Sequence, residues 1–269
     1  MPYLGSMDII QASNLTKQYG KFTAVDNISF TVKAGQIFAF LGPNGAGKTT
    51  TIKMLTTLLA PSSGSILING LDPSRNPNQV RSLLGIIFQD PSLDDELTPL
   101  ENMELHGVLY KMGRTLRVQR SRELLEYVEL WDRRNDLVKR FSGGMKRRLE
   151  LARGLMHHPK ILFLDEPTQG LDPQTRNHIW SYIHKLTKQE GITVFLTTHY
   201  MEEADRVAQQ VAIIDHGKLV MQGSPKKLKS LTKKKTLEEA FIQITGHDIR
   251  KEEATGADRM RLAKRVWGR

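Results

Sequence analysis

A short glycine-rich segment constrains the fold of this 269-residue chain more than any other feature. Residues 42–49 have the spacing Gly-x-x-x-x-Gly-Lys-Thr and directly follow an apolar run, residues 37–41. Glycines let the backbone curl so that its N–H groups point inward, and the start of a following helix adds positive dipole to that concavity. An apolar strand, such a loop and a helix in this order predict a phosphate-binding site.

The side chains of this loop indicate which phosphates it can hold. Lys48 can reach the β- and γ-phosphates of a nucleotide, and the hydroxyl of Thr49 can bind Mg²⁺. The predicted contacts come from nine consecutive residues: Gly42, Pro43, Asn44, Gly45, Ala46, Gly47, Lys48, Thr49 and Thr50. The alternative, a flexible glycine loop without a ligand, does not explain the strand-like and helix-forming flanks.

Composition limits the possible chemistry. The chain has no cysteine, which excludes disulfides, thiolate metal sites and cysteine nucleophiles. Its 39 basic and 29 acidic residues give a formal charge of +10, which favours an acidic partner: a nucleotide, a nucleic acid or an anionic membrane surface. No apolar run is long enough to span a membrane, and the first residues do not have the pattern of a signal peptide, so we expect a chain that is neither inserted nor secreted.

The hydrophobic pattern predicts an α/β fold. Strand-like runs occur early in the chain, around residues 9–12, 28–32 and 65–68, and surround the phosphate loop. Further apolar strands at residues 161–164, 194–196 and 211–214 alternate with helical segments, a pattern typical of parallel strands joined by crossover helices.

Helical periodicity between these two groups of strands predicts a helical lobe from about residue 97 to 138. Its expected apolar positions are Leu100, Met103, Leu105, Val108, Leu109 and Met112, followed by Leu124, Leu125, Val128 and Leu130. Beyond residue 223 the chain becomes rich in lysine, and residues 237–242 again have a helical pattern. We expect the lysine-rich stretch to lie either against anionic lipid headgroups or in solvent, and the charged tail from about residue 246 to be loosely ordered.

Two carboxylates end the apolar strand at residues 161–164. Asp165 and Glu166 follow it directly, and ligands of open α/β sheets bind at the carboxyl ends of strands. Beside a phosphate loop, Asp165 is expected to hold Mg²⁺, directly or through its waters, and Glu166 to polarise the attacking water. The alternative is a carboxylate pair that caps the next helix.

A second phosphate-binding element lies further along the chain. Ser142, Gly143 and Gly144 precede a helical segment, and a serine N-cap followed by two glycines exposes a hydroxyl and several N–H groups to an anion. One mononucleotide rarely needs both elements from a single subunit. Together the phosphate loop, the Asp-Glu strand end and this Ser-Gly-Gly segment resemble the ATP-binding cassette family, in their order over residues 8–223.

The resemblance implies a P-loop NTPase core whose parallel sheet is flanked by helices, with an N-terminal antiparallel β subdomain and an inserted α-helical subdomain at about residues 90–158. The ATPase domain would span residues 8–223, and residues 224–269 would form a basic, partly helical extension. It also implies ATP and Mg²⁺ as ligands, and two cassettes that close head to tail so that Ser142, Gly143 and Gly144 cover the γ-phosphate held by the opposite subunit.

Further roles follow from the resemblance residue by residue. Tyr19 would stack on adenine, Gln89 would sense Mg²⁺ and link the site to the helical lobe, and Asp172 would communicate across the dimer. His199 would contact the γ-phosphate and, with Lys48, stabilise its developing charge. One position departs from the family in the signature loop, residues 142–145: Met145 stands where a glutamine is usual, which removes a side-chain amide but leaves the backbone donors of the loop.

Four functions are candidates: the ATPase subunit of a membrane transporter, a cassette ATPase of DNA repair or chromosome organisation, a ribosome-associated cassette protein and a P-loop kinase. The short interval between Lys48 and Ser142 has no room for the long coiled coil of DNA-repair cassettes. The single set of motifs differs from the paired cassettes of most ribosomal types, and a kinase would not need the Ser-Gly-Gly segment. A transporter subunit is therefore the favoured function, and a soluble ATPase acting on nucleic acid or ribosomes is the alternative.

A transporter ATPase without a spanning helix needs separate membrane permease subunits, so we expect a peripheral position on the cytoplasmic face of the membrane. The permease would dock near Gln89 and the lobe at residues 94–138. Residues 90–102 and 236–246 resemble ATPases of the type-2 drug and polysaccharide exporter branch, which favours export over import. Substrate contacts would belong to the permease, and the second cassette could be an identical copy or a relative.

Overall fold

Two β-sheets form the frame of the protein. The structure, a computed structural model, describes residues 7–90 and 92–246, so all of the predicted tail beyond Gly246 lies outside the described residues. The first sheet is antiparallel, with strand order β2-β1-β4. Its strands are β1 (Asp8–Tyr19), β2 (Phe22–Lys33) and β4 (Ser63–Ile68).

The second sheet has six strands in the order β5-β6-β7-β3-β8-β9. They are β3 (Ile37–Leu41), β5 (Leu84–Ile87), β6 (Ile161–Asp165), β7 (Thr193–Thr198), β8 (Gln210–Asp215) and β9 (Lys218–Gly223). Every pairing is parallel except that of β8 with β9. Three strands, β3, β6 and β7, are buried along their whole length, as expected of parallel strands covered on both faces.

Nine α-helices surround the sheets within the described part of the chain. They are α1 (Lys48–Leu55), α2 (Pro77–Ser82), α3 (Pro99–Leu109), α4 (Arg114–Tyr127), α5 (Gly143–Gly154), α6 (Pro173–Glu190), α7 (Met201–Val207), α8 (Pro225–Thr232) and α9 (Leu237–Thr245). Sequence signals set several of their ends. Thr98 and Glu101 form a capping box at α3, and Thr236 and Glu239 form another at α9.

Alternation along the buried strands divides the core into two layers. On β3, Phe38 and Phe40 belong to the layer shared with the antiparallel sheet and α1, whereas Ala39 and Leu41 belong to the layer shared with α5 and α6. Phe30 of β2 joins the two sheets, since its ring lies 5.5–6.1 Å from those of Phe38, Phe40 and Phe195. The predicted fold class, a parallel sheet between helices with an antiparallel N-terminal sheet, is confirmed.

Several elements differ in extent from the sequence prediction. Strands β1 and β2 are long arms of one hairpin, which places Tyr19 at its tip next to Gly20, whose φ is +59°. Strand β9 was not predicted; its apolar run, residues 219–221, is short and only partly buried. Antiparallel pairing with β8 nevertheless incorporates it into the sheet edge.

The predicted apolar face of the first lobe helix is wrong in part. Met103 of α3 is fully buried, but Leu105, Val108 and Leu109 are exposed by 50%, 50% and 70%. The residues of α3 are apolar on more than one side, and the helix uses only one side to pack on α4 and α5. The second predicted set, Leu124, Leu125, Val128 and Leu130, is buried as expected.

The lysine-rich stretch begins with a helix that packs on the core through its apolar side, while five of the six lysines of the stretch are exposed, and Lys229 is the exception. In α8, Leu228 is completely buried, and Lys229 donates to both carboxylate oxygens of Asp205 on α7 at 2.8 Å. Helix α9 then packs on α7 and α8 through Leu237 and Phe241. Among the described residues, no helix combines the length and apolar character required to cross a membrane.

Two histidines join the helical lobe to the parallel sheet. The ring of Tyr110 stacks on that of His157 at 3.7 Å and lies 4.8 Å from that of His106. The Nε2 of His157 lies 2.9 Å from the carbonyl oxygen of Leu84 on β5, to which it can only donate. Burial, with the positive charge of Arg153 nearby, lowers the pKa of His106 to about 3, and burial lowers the pKa of His157 to about 4. Both side chains are therefore neutral at neutral pH.

This cluster predicts a loss of stability in mild acid. Because the folded pKa of His157 lies below its ordinary value near 6.5, the unfolded chain binds more protons between about pH 4 and 6.5, so stability rises with pH across that window. We expect His157→Gln to shrink the difference in unfolding free energy between pH 7.5 and pH 5 by about 2 kcal/mol, at about 1.4 kcal/mol per pH unit. Urea denaturation at the two pH values measures it. The exposed His178→Gln is the control; an equal change in both variants would contradict the assignment.

Candidate nucleotide-binding site

The phosphate loop connects β3 to α1 and depends on its glycines. Gly45 and Gly47 have φ of +80° and +106°, in the region that L side chains rarely adopt. A Cβ on Gly47 would lie 2.6 Å from the carbonyl oxygen of Ala24, and a Cβ on Gly42 would lie 2.3 Å from that of Ile214. The loop is therefore pressed against its surroundings, and its curled backbone with the N-terminus of α1 behind it suits an anion.

Lys48 is the first residue of α1, and its side chain folds back over the loop. Only 6% of the residue is exposed. Its ammonium donates to the carbonyl oxygens of Gly42 at 2.8 Å and Pro43 at 3.3 Å, and lies 3.5 Å from Oε1 of Glu166. A buried cation is thus held in place at the position where the phosphate loop opens.

Glu166 and His199 form the opposite wall of the site. His199 places Nδ1 at 2.9 Å and its backbone N–H at 3.3 Å from Oε2 of Glu166. Burial acts to raise the pKa of Glu166, but the hydrogen bond from His199 and the charge of Lys48 outweigh it and hold the pKa below its usual value. Glu166 is therefore ionised at neutral pH, which is the form that a general base needs.

Asp165 and Thr49 supply oxygen atoms that suit Mg²⁺. The Thr49 hydroxyl donates to Oδ2 of Asp165 at 3.0 Å, and the Thr197 hydroxyl donates to Oδ1. Oxygen ligands are those that Mg²⁺ prefers, and it usually keeps water and phosphate oxygens in its shell. In residues 7–90 and 92–246 no group of three or more histidine, aspartate or glutamate side chains could hold a metal alone. The residues therefore fit an ion that shares its ligands with a nucleotide.

A cleft with a volume of about 270 Å³ opens above these groups. It brings together most of the predicted residues: Tyr19, Pro43, Asn44, Gly45, Gly47, Lys48, Thr49, Thr50, Gln89, Glu166 and His199. Gly42 and Ala46 belong to the loop but do not line the cleft, and Asp165 lies behind Thr49.

Sequence reasoning missed three lining residues, Phe22, Ala24 and Gln169. Phe22 is 63% exposed and Tyr19 is 49% exposed, so the tip of the β1–β2 hairpin presents two aromatic rings at the mouth of the cleft. Strand β2 begins with Phe22, and an aromatic side chain at a hairpin tip was the available signal.

The signature loop lies outside this cleft. Ser142 is the N-cap of α5, and its hydroxyl accepts from the N–H of Met145 at 3.3 Å, as the sequence predicts. Ser142 and Gly143 are exposed, while Gly144 has no room for a side chain because a Cβ there would lie 2.7 Å from Cγ2 of Thr175. None of these residues faces the nucleotide cleft of the same chain.

Asp172 does not line the cleft either, and it caps α6. Its carboxylate accepts from the backbone N–H of Thr175 at 2.9 Å and from the Thr175 hydroxyl at 2.6 Å. Since Thr175 also abuts Gly144, the loop that ends at Asp172 is connected to the signature loop through one side chain.

Comparisons with known proteins agree with this geometry. The profile of the family described as ABC transporter matches residues 25–169. The chain is 43% identical over 221 residues to the daunorubicin/doxorubicin resistance ATP-binding protein DrrA of Streptomyces peucetius, covering 82% of this chain and 67% of DrrA. It is 40% identical over 227 residues to the Nod factor export ATP-binding protein I of Ralstonia nicotianae, covering 84% of this chain and 70% of that protein.

Among solved structures, the dimeric post-hydrolysis state of the ATP-binding cassette MJ0796 with ADP and Pi superposes with a TM-score of 0.72 at 29% identity, covering 80% of this chain and 98% of that one. The chain therefore belongs to the ABC transporter family, and it is an ATP-binding subunit with that family's ATPase activity and its ligands ATP and Mg²⁺. These comparisons do not support the nucleic-acid or ribosomal alternative.

The two left-handed glycines of the loop allow a matched test. Gly47→Ala combines an unfavourable φ with a clash against the backbone of Ala24, whereas Gly45→Ala meets nothing within 4 Å and has only the conformational cost of about 1–2 kcal/mol. We expect Gly47→Ala to weaken ATP binding at least tenfold more than Gly45→Ala. Equilibrium binding of a fluorescent ATP analogue measures both, and equal losses would show that the close approach is unimportant.

Proposed function

We propose that this protein powers the export of a substrate through separate membrane permease subunits. The observation that carries the catalytic part is the arrangement of Lys48, Glu166 and His199 around the mouth of the phosphate loop, beside Thr49 and Asp165. The names of the two relatives, a drug-resistance protein and an export protein, support the direction of transport. We infer an ATPase domain at residues 8–223 that includes an inserted helical subdomain.

The geometry supports a division of labour within the site. Lys48 and the loop N–H groups would bind the β- and γ-phosphates, and Tyr19 would stack on the base. Bound Mg²⁺, held by Thr49, Asp165 and Gln89, would neutralise phosphate charge. Glu166, ionised and 3.5 Å from Lys48, would accept a proton from the attacking water once a γ-phosphate takes over Lys48.

His199 has two contacts in this proposal. Its Nδ1 bonds Glu166. The rest of its ring remains available to contact the γ-phosphate, and together with Lys48 it would stabilise the charge that develops in the transition state. Hydrolysis would thus remove the γ-phosphate that Lys48 and His199 both contact, and it would weaken the contacts that depend on this phosphate.

A second subunit would complete the site. Ser142 and Gly143 are exposed and do not line the cleft of their own chain, so their donors would be available to a nucleotide held by another subunit. The related cassette MJ0796, solved as a dimer with ADP and Pi, supports this arrangement. ATP would then join two chains head to tail, with Asp172 at the facing loops, and the partner could be an identical chain or a relative.

The exposed apolar side of α3 is the proposed permease contact. Leu105, Val108 and Leu109 lie on the helical lobe and are at least half exposed, a cluster that favours a protein interface. Gln89, at the rim of the nucleotide cleft, would carry information between this lobe and the γ-phosphate. Docking there would hold the ATPase on the cytoplasmic face of the membrane.

Replacing Glu166 tests the catalytic part. Glu166→Gln keeps the size of the side chain and its hydrogen bond to His199 but removes the base, so we expect ATP binding to persist, turnover to fall at least a hundredfold and ATP-bound dimers to accumulate. Steady-state phosphate release and size-exclusion chromatography measure these effects. Glu202→Gln, on an exposed position of α7, is the control. Hydrolysis near the wild-type rate would remove Glu166 from the mechanism.

Negative charges introduced on α3 test the proposed permease contact. We expect Val108→Glu with Leu109→Glu to abolish recovery of a stoichiometric multi-span protein from mildly solubilised native membranes, while basal ATPase activity stays within twofold. The control Leu231→Glu alters a side chain that is 60% exposed, between Val108 at 50% and Leu109 at 70%, but lies on α8. Unchanged recovery with the α3 variant would place the permease contact elsewhere.

A further inference from the structure

Arg147 is a buried cation that sequence reasoning did not assign. It lies in the second turn of α5, five residues after the signature serine, and only 8% of it is exposed. Its charge is paired with Glu150 one turn later, at 3.1 Å. Lys, Arg and Glu are rarely buried so fully, and burial of such a pair is seldom explained by stability alone.

The Arg147 guanidinium binds three backbone carbonyls from two separate segments of the chain. Nε donates to Pro167 at 2.9 Å, one terminal nitrogen donates to Asp165 at 3.2 Å, and the other donates to Phe88 at 2.6 Å. Only a planar fork with donors on all three nitrogens can reach three acceptors in this way, and a lysine ammonium cannot reproduce it.

These carbonyls flank the residues that face the γ-phosphate. Asp165 and Pro167 stand on either side of Glu166, whose φ of +49° is unusual for a residue with a side chain and needs support from its surroundings. Phe88 directly precedes Gln89. One side chain therefore fixes the backbone on both sides of Glu166 and the backbone just before Gln89.

Helix α5 holds the Gln89 segment at a second point. Glu150 accepts from the N–H of Ser92 at 2.9 Å, and Arg153 donates to the Ser92 carbonyl at 2.6 Å. Residues 147, 150 and 153 are one turn apart and share one side of the helix. The segment that contains Gln89 is thus attached to α5 at Phe88 and again at Ser92.

We propose that Arg147 is a positioning residue for ATP hydrolysis, which fixes Glu166 and Gln89 to the signature helix of their own subunit. The inference rests on the proposed roles of Glu166 and Gln89. Because α5 begins at the loop that covers the partner's nucleotide, a shift of α5 on dimer closure moves both residues of its own site together. Arg147 touches neither nucleotide.

The test replaces Arg147 by lysine in the full chain, with Arg148→Lys as the matched control. Arg148 is adjacent on α5 and also donates to a carbonyl, that of Val128 at 2.9 Å, but it contacts the helical lobe and not the nucleotide site. We expect Arg147→Lys to lower kcat at least tenfold and to raise the Mg²⁺ concentration for half-maximal activity at least threefold. Binding of a non-hydrolysable ATP analogue should stay within twofold, and Arg148→Lys should leave kcat and the Mg²⁺ requirement within twofold of wild type.

A merely structural role of Arg147 would not change the Mg²⁺ requirement. Equal kcat values in the two lysine variants would overturn the proposal. A loss of analogue binding as large as the loss of kcat would overturn it as well. If Arg147→Lys does not fold, Glu150→Gln replaces it, because it weakens the contacts of Glu150 with Arg147 and Ser92. We then expect kcat to fall at least threefold with unchanged analogue binding. An unchanged kcat would overturn the proposal. Glu166→Gln, assayed in parallel, separates the two hypotheses. If it hydrolyses ATP normally, the proposed catalytic roles fail, whereas an inactive Glu166→Gln beside a normal Arg147→Lys overturns only the role of Arg147.

Discussion

The parallel register of three buried strands is the constraint on which the rest of this structure depends. Strand β3 pairs with β7 so that Leu41 is opposite Thr198, and β7 pairs with β6 so that Thr197 is opposite Asp165. The phosphate loop, His199 and Glu166 each follow one of these strand ends. Because parallel strands end at the same edge of the sheet, residues more than a hundred positions apart meet within hydrogen-bond distance. A shift of one residue in either pairing would separate them.

The meeting of these strand ends brings the opposite charges of Lys48 and Glu166 together at a place that little water reaches. Lys48 and Glu166 are each more than 90% buried, and removing two charges from water costs several kcal/mol per ion unless they are well paired. Their separation of 3.5 Å, the carbonyls around Lys48 and the His199 contact to Glu166 offset that cost. At 3.5 Å, however, the two side chains form an ion pair that is longer than a normal hydrogen bond. A γ-phosphate, whose three terminal oxygens share two negative charges, is a better partner for Lys48 than the singly charged Glu166 is, so we expect Lys48 to exchange that partner when ATP binds.

Local motifs could be predicted from sequence, and contacts between distant segments could not. The phosphate loop, the N-cap at Ser142 and the strand before Asp165 depend on neighbouring residues whose chemistry is visible in order. The exposure of Leu109 was missed because apolarity on several sides of a helix does not reveal which side packs. Arg147 was missed for a similar reason, since its acceptors are carbonyl oxygens of Phe88, Asp165 and Pro167, and every residue has a carbonyl.

Helix α5 connects the surface of the protein to its interior within two turns. Its N-cap, Ser142, is exposed, whereas Arg147 and Glu150 are almost fully buried against the loops that contain Gln89 and Glu166. A rigid helix cannot move its first turn without moving its second. In the proposed dimer, contact of the exposed end with the partner's nucleotide would therefore have a direct mechanical route to Gln89 and Glu166 of the same chain, and this route would need no contact between the two nucleotides. Under this proposal the two sites would depend on each other, because each signature loop belongs to the chain whose own site lies behind it.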